Sequence, residues 1–283
     1  MNVKIIALDV DGTLFSSQKG ILPETKKALL KAQELGIKLI LASGRPTSGL
    51  TEIAAELNMD KHNGLLVSYN GSKIIDCETG ETLFNEPLSV ADGKAVLEHM
   101  KQFDVKPMID KDRHMHVNNV YDPYIKFQGK DFNIVEYEAR GGNYLLCEQD
   151  DLAAFLDYEV NKILTAADPE YIDAHQEAMA APFKDTLNCV QTAPFFYEFT
   201  ALGIDKARAL DTVLRPMGYV PEEMMAFGDG MNDLTMLQYA GCGVAMANAV
   251  DEVKANAQHV TASNDEEGIA LALYTYIPEL KGA

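Results

Sequence analysis

A run of four apolar residues, Ile5 to Leu8, stops on two carboxylates, Asp9 and Asp11, within the stretch IIALDVDGTL. An apolar run without polar alternation suits a strand buried on both faces, which is the condition of a parallel sheet covered by helices. Chemistry then begins where burial ends. With a side-chain period of two, Asp9 and Asp11 point the same way, so Gly12 and Thr13 are expected to turn the chain while both acids face a crevice at the strand's carboxyl end. Two like charges that close need a cation or a shared proton. Oxygen ligands at such a place suit magnesium, a hard and partly hydrated ion. An acidic strand-to-turn boundary is the plainer alternative, and partners later in the chain decide between the two.

The rest of the chain repeats this strand type. Pro23 opens a helix whose Thr25, Ala28, Leu29, Ala32 and Leu35 form one apolar face, Gly36 stops it, and Ile37 to Ala42 is a second buried strand. Strand, helix, strand is the minimal right-handed parallel unit. At the end of the second strand stand Ser43, Gly44 and Arg45. From that position the Ser43 hydroxyl and the Gly44 N–H could bind an anion held over the crevice, although a Ser-Gly pair after a strand is also a common turn. A helix over 47–57, a strand over 65–68, Asn70-Gly71 and a surface hairpin about Thr79-Gly80 continue the series.

From about Pro87 to Thr192 the regular alternation breaks into short strands and helices, with Ser89 and Asp92 spaced to cap one helix and another helix read near Asp150 to Val160. Phe195 to Thr200 is strand-like, and after it the first rhythm returns. Asp205 then caps a helix beginning at Lys206, and Met224 to Phe227 is a buried strand ending in Gly228-Asp229-Gly230-Met231-Asn232-Asp233. The expected fold is therefore α/β. A Rossmann-like, doubly wound parallel-sheet core is built from residues 1–86 and 193–283, and residues 87–192 form an inserted α+β cap domain. A chain of 283 residues, 47% of them hydrophobic, is long enough for both.

The formal charge of −19, with no basic run to offset it, argues against nucleic acid and anionic membranes as partners. Cys77, Cys147, Cys189 and Cys242 lie far apart and suggest neither a zinc site nor a disulfide framework. Without a signal core or a membrane-length apolar run, a cytoplasmic location is expected. The sequence carries no signal for oligomeric state.

DxDGT at the end of one buried strand, Ser-Gly-Arg at the end of a second, a lone Lys before a helix and then GDGxND resemble the haloacid dehalogenase-like phosphatase superfamily. Within it the chain is similar to the Cof-type members, subclass IIB, whose α/β-type cap is inserted between the Ser and Lys motifs. The likeness spans the whole chain. It implies Asp9 as nucleophile, forming an aspartyl-phosphate, and Asp11 as general acid and then base. It implies Mg2+ held by the Asp9 side chain, the Asp11 main-chain carbonyl and Asp229, with Asp233 close by. It further implies a phosphate cradle from Ser43 and Lys206, with Val10, Thr13, Gly44 and Asn232 contributing. Ala207 stands where the family usually has Gly, a departure expected to alter only a backbone detail. Asn248 also matches the family, but capping the next helix explains it equally well.

The resemblance makes the substrate a small phosphorylated metabolite, with sugar phosphates foremost, and makes the inserted domain a lid whose Tyr121, Tyr124, Lys126, Phe127 and Arg140 are candidates for setting specificity. A phosphomutase and a phospho-aspartate receiver use related chemistry. The receiver is disfavoured by chain length and by Asp11. His114 and His116 alternate on one expected cap strand, but two histidines without a third ligand make a poor metal site.

Overall fold

The computed structural model describes residues 2–281, which divide into two compact units, 2–84 with 205–281 and 85–204. In the first unit the chain runs through β1 (Ile5–Leu8), α1 (Pro23–Glu34), β2 (Lys38–Ala42), α2 (Ser48–Glu56), β3 (Leu65–Ser68), β4 (Lys73–Asp76) and β5 (Thr82–Asn85). The 85–204 unit contains α3 (Val90–Met100), β6 (Lys106–Lys111), β7 (His114–Val117), β8 (Tyr124–Phe127), β9 (Lys130–Asn133), α4 (Ile134–Gly141) and β10 (Leu145–Glu148). It continues with α5 (Leu152–Phe155), β11 (Ile163–Ala166), α6 (Pro169–Ala180), β12 (Leu187–Ala193) and β13 (Phe196–Ala201). The first unit resumes with α7 (Lys206–Leu214), β14 (Met224–Gly228), α8 (Leu234–Tyr239), β15 (Cys242–Ala245), α9 (Asp251–Asn256), β16 (His259–Val260) and α10 (Gly268–Tyr276).

The central sheet has the order β16-β15-β14-β1-β2-β3-β4-β5, parallel from β16 to β3. Every residue of β1, β2, β3, β14 and β15 is buried, which is why these strands read as unbroken apolar runs. Alternate side chains serve opposite faces. Ile6, Leu8, Leu39, Leu41, Met225 and Phe227 pack with α1, α2 and α10, whereas Ile5, Ala7, Ile40, Met224 and Ala226 pack with α7, α8 and α9. Two helical layers thus enclose one sheet. The chain leaves β1 toward β2 on one side and returns as β14 on the other, so β1 lies at the switch point where strand order reverses and a crevice opens at the carboxyl ends. The hairpin about Gly80 lies at the edge of the sheet with β5 outermost and partly exposed, and β4 pairs antiparallel with β3, so that it extends the sheet.

The 85–204 unit holds a six-stranded sheet of order β10-β7-β6-β11-β13-β12 and a separate β8-β9 hairpin. Helices α3, α5 and α6 pack on one face of the sheet; α4 and the hairpin pack on the other. Two expectations change here. Residues 196–201 do not rejoin the central sheet: β13 pairs antiparallel with β11 and with β12, so the unit ends at residue 204 rather than 192. The helix expected over 150–160 is confined to α5, capped by Asp151, whose Oδ1 accepts from the N–H groups of Ala153 and Ala154. The cap on α3 is as expected, with the Asp92 N–H donating to Ser89 Oγ at 3.1 Å. Among the described residues no helix is long and apolar enough to cross a membrane.

Candidate active site

All the polar groups singled out at strand ends lie in the first unit. Asp9 follows β1 and is only 5% exposed, and Lys206 opens α7 with its side chain fully buried. Lys206 Nζ donates to Asp9 Oδ1 at 2.8 Å and to Asp233 Oδ1 at 2.6 Å. Two features aim that lysine. Asp205 caps α7 by accepting from the Arg208 N–H at 2.9 Å, and Gly71, at φ +105, lets the loop after β3 close against the start of α7. A Cβ at Gly71 would sit 2.6 Å from the Asp205 carbonyl oxygen. Ala207 lies inside the helix without disturbing either Lys206 contact.

Asp233 is tied on its other oxygen as well, for Oδ2 accepts from the N–H groups of Asp229 and Gly230 at 3.0 and 2.9 Å. This fixes the loop after β14 and presents Asp229. The Thr13 hydroxyl donates to Asp229 Oδ1 at 2.7 Å, so this hydroxyl, expected at the phosphate, is directed at a carboxylate. Gly12, at φ +83, packs where any Cβ would run into the Asp229 carboxylate. Asn248 does not cap α9, which begins after Val250. Instead its Nδ2 donates to the Gly12 carbonyl at 2.7 Å and its Oδ1 accepts from the Asn264 N–H.

The chain already turns at Val10, so the two acids of the first motif part company. Asp9 enters the buried cluster, while Asp11 is exposed and meets Arg45. The turn gives the two acids different surroundings in place of the parallel side chains expected of a continuing strand. Ser43 is buried at the end of β2 and its Oγ accepts from the Arg45 N–H at 3.2 Å, which leaves the hydroxyl proton free to be donated. Beside it Tyr69, Asn70 and Gly71 take three successive positive φ values. Non-glycine residues in that region hold about 1–3 kcal/mol of strain each and persist where surroundings over-determine them. Here the Asn70 and Tyr69 N–H groups donate to the Ser43 and Arg45 carbonyls, and Asn70 Oδ1 accepts from Asn232 Nδ2 at 3.0 Å. Asn70 thereby links the Ser43-Gly44 turn to the loop after β14.

Asp9, Asp229 and Asp233 can each offer an oxygen within 4.8 Å of the others. Burial first, then the Asp233 charge, push the Asp9 carboxyl well above the ordinary carboxylate range against the pull of Lys206. Burial likewise pushes Asp229 up to about 6, although the Thr13 hydroxyl pulls the other way. Burial opposes the Lys206 ammonium, but Asp233 and Asp9 outweigh it and keep its pKa above the usual lysine value. Two carboxylates thus share one buried ammonium with a third beside them, and the all-oxygen donor set of the three fits a hard divalent cation.

A family model described as haloacid dehalogenase-like hydrolase matches residues 6–273. The chain belongs to that family. Its architecture is that of the Cof-type, subclass IIB members, and it is an enzyme of the phosphatase kind. A solved haloacid dehalogenase-like hydrolase from Bacteroides thetaiotaomicron is 34% identical, with a TM-score of 0.89 over 97% of this chain and 100% of that one. A solved subclass IIB sugar phosphatase is 26% identical, with a TM-score of 0.78 over 97% of this chain and 99% of its own. The 5-amino-6-(5-phospho-D-ribitylamino)uracil phosphatase YcsE of Bacillus subtilis (strain 168) is 30% identical over 280 residues, 98% of this chain and 97% of that protein.

Against the sequence reading, the structure of this family member brings together Asp9, Lys206, Asp229 and Asp233 directly. It places Ser43, Gly44 and Asn232 around the same loops through Asn70. Val10 is fully buried, and its carbonyl accepts from the Phe15 N–H at 2.8 Å. Sequence reasoning assigned no role to Arg45 or Asn70. Each follows the carboxyl end of a buried strand, and Arg45 also completes the Ser-Gly-Arg motif. His114 and His116 lie in the other unit, with ring centroids 6.4 Å apart, and His116 packs on Phe155 at 4.6 Å as a sheet residue.

Proposed function

We propose that the protein is a Mg2+-dependent phosphatase that hydrolyses phosphomonoesters of sugars or other small metabolites through an aspartyl-phosphate on Asp9. The observation that carries this reading is the buried Asp9 carboxylate held by Lys206 at 2.8 Å beside Asp229 and Asp233, at the carboxyl edge of the sheet. The Asp9 and Asp229 side chains and the Asp11 main-chain carbonyl would hold the metal, with Asp233 anchoring Asp229 and Lys206 around it. Bound there, Mg2+ supplies positive charge that offsets the acids and the incoming phosphate.

An Asp9 oxygen forms a bond to phosphorus as the bond from phosphorus to the leaving oxygen breaks. Asp11, protonated, gives its proton to that oxygen, and the alcohol departs. Asp11, now a carboxylate, takes a proton from water; the water oxygen attacks phosphorus, and Asp9 is released with inorganic phosphate. Lys206 and the Ser43 hydroxyl donate to the phosphoryl oxygens, as phosphoryl transfer depends chiefly on positioning and charge stabilisation. Choice of leaving group we assign to the 85–204 unit. The names of the relatives, a sugar phosphatase and a phosphoribitylamino-uracil phosphatase, support polyol and sugar phosphates as the class.

The test is phosphate release from a panel of phosphorylated metabolites, with hydroxylamine trapping of an acyl-phosphate. Asp9→Asn should abolish turnover and trapping while leaving the circular dichroism spectrum intact. Substantial turnover by Asp9→Asn would refute the mechanism.

A further inference from the structure

Arg45 ends the Ser43-Gly44-Arg45 turn, and the chemistry above gives its side chain no part. Its guanidinium meets Asp11 side-on: Nε donates to Oδ2 at 2.7 Å and Nη2 to Oδ1 at 2.6 Å. The Asp11 side chain is 61% exposed and that of Arg45 only 22%. An exposed aspartate in a turn otherwise samples several staggered rotamers, whereas two parallel bonds from a rigid fork fix both its position and its plane. Arg45 is itself anchored. Its guanidinium carbon lies 5.3 Å from the centre of the Phe15 ring, its N–H donates to Ser43 Oγ, and its carbonyl accepts from the Tyr69 N–H at 2.9 Å. The turn that presents Ser43 to phosphate therefore also carries the arm that grips the acid.

We infer that Arg45 is the positioning residue for Asp11, an assignment that rests on the aspartyl-phosphate reading given above. Arg45 acts through Asp11 and not on phosphate. Because the fork makes two bonds, one Asp11 oxygen can turn to the leaving group while the other stays held, so the carboxyl pivots about a fixed point. The released oxygen takes up a proton from solvent and gives it to the leaving oxygen as the ester bond breaks, and the bonding pair stays on that leaving oxygen. Loss of the pivot is felt where the leaving group needs that proton.

The experiment compares kcat/KM for p-nitrophenyl phosphate, whose phenolate leaves without protonation, with kcat/KM for the alkyl phosphate that the wild type turns over fastest in the panel. Arg45→Met should lower the alkyl phosphate value about 10- to 100-fold and the p-nitrophenyl value less than about threefold. Arg45→Lys, which keeps the charge but not the fork, should recover only part of the loss and controls for misfolding together with its melting temperature. In an Asp11→Asn background Arg45→Met should change the ratio of the two values by less than about twofold, because its effect runs through the missing acid. Equal losses on both substrates, losses that multiply in the double mutant, or faster alkyl phosphate turnover in Arg45→Met would each overturn the assignment. Phosphate release by the wild type, absent in Asp9→Asn, checks the parent mechanism in the same assay, so an unmoved ratio counts against Arg45 alone.

Discussion

Replacing Lys206 with methionine removes a charge and keeps most of the volume, which makes it the sharpest probe of how the acid cluster is held. Lys206 Nζ makes both of its contacts, to Asp9 at 2.8 Å and Asp233 at 2.6 Å, from a fully buried side chain. Removing one partner of such a buried arrangement costs about 3–5 kcal/mol, because the carboxylates left behind are desolvated and unmatched. Asp9 already lies above the ordinary carboxylate range through burial and the Asp233 charge, so it can relieve part of this by taking a proton. A net loss of about 3 kcal/mol is expected, which in a unit of this size lowers the melting temperature by roughly 6–12 °C. In excess Mg2+ part of that deficit should return, since a cation on the same oxygens replaces the missing charge. The rate should not return, because the donor to the phosphoryl group is gone, and kcat should stay about 100- to 1,000-fold down. Thermal melts in chelator and in Mg2+, with phosphate release in Mg2+, read out both parts. A Lys206→Met protein that melts with the wild type in chelator would refute the claim that this ammonium holds the cluster together.

Chelation of divalent ions should abolish phosphate release by the wild type and added Mg2+ should restore it; hydrolysis that persists in chelator would remove the metal from the reaction. Gly12→Ala should destabilise the chain by more than about 1 kcal/mol and depress turnover, because φ is +83 and the new methyl group collides with the Asp229 carboxylate. Urea melts and phosphate release check both effects. In the 85–204 unit, Glu198→Gln removes the carboxylate to which the buried Lys162 ammonium donates at 3.0 Å, and should destabilise that unit by about 3 kcal/mol in urea melts. The same pair sets a pH expectation. Burial disfavours the Lys162 ammonium, but Glu198 and Glu138 outweigh it and raise its pKa. The lysine's contribution is therefore complete below its unfolded value of about 10.4 and fades as pH climbs through the higher folded value. Loss of this contribution already at neutral pH in the wild type, absent from Glu198→Gln, would contradict the assignment.

The central sheet was legible because its strands are buried on both faces, so continuous apolar runs mark them and the first polar residue after each marks the crevice. That logic located Asp9, Ser43 and Asp229 directly. It failed on Phe196–Ala201, whose largely apolar, buried pattern resembles a core strand's although it pairs within the other unit: burial is a local signal, and the choice of neighbouring strand is not. The β8-β9 hairpin and α4 escaped notice because Tyr124–Phe127 and Lys130–Asn133 are short and largely exposed, with little periodicity to read. At the site, contacts made within a strand-end motif were readable, whereas those between motifs depended on loop course. The turn at Val10 sends Asp11 to Arg45, and the left-handed Tyr69-Asn70-Gly71 turn carries Asn70 to Asn232, neither of which follows from spacing.

The place of β1 between β2 and β14 bears on how the molecule is born. Leu8 and its neighbour Phe227 are separated by most of the chain, so a ribosome adding about 5–20 residues per second exposes one side of β1 for roughly 10–45 s before its second neighbour is made. Through most of that interval the nascent chain holds Asp9 and Ser43 but neither Lys206 nor Asp229, and the intervening 120-residue unit can reach its own folded state first. Catalytic competence therefore arrives late and all at once, and a truncated translation product would be inert and would carry an apolar strand edge open to aggregation.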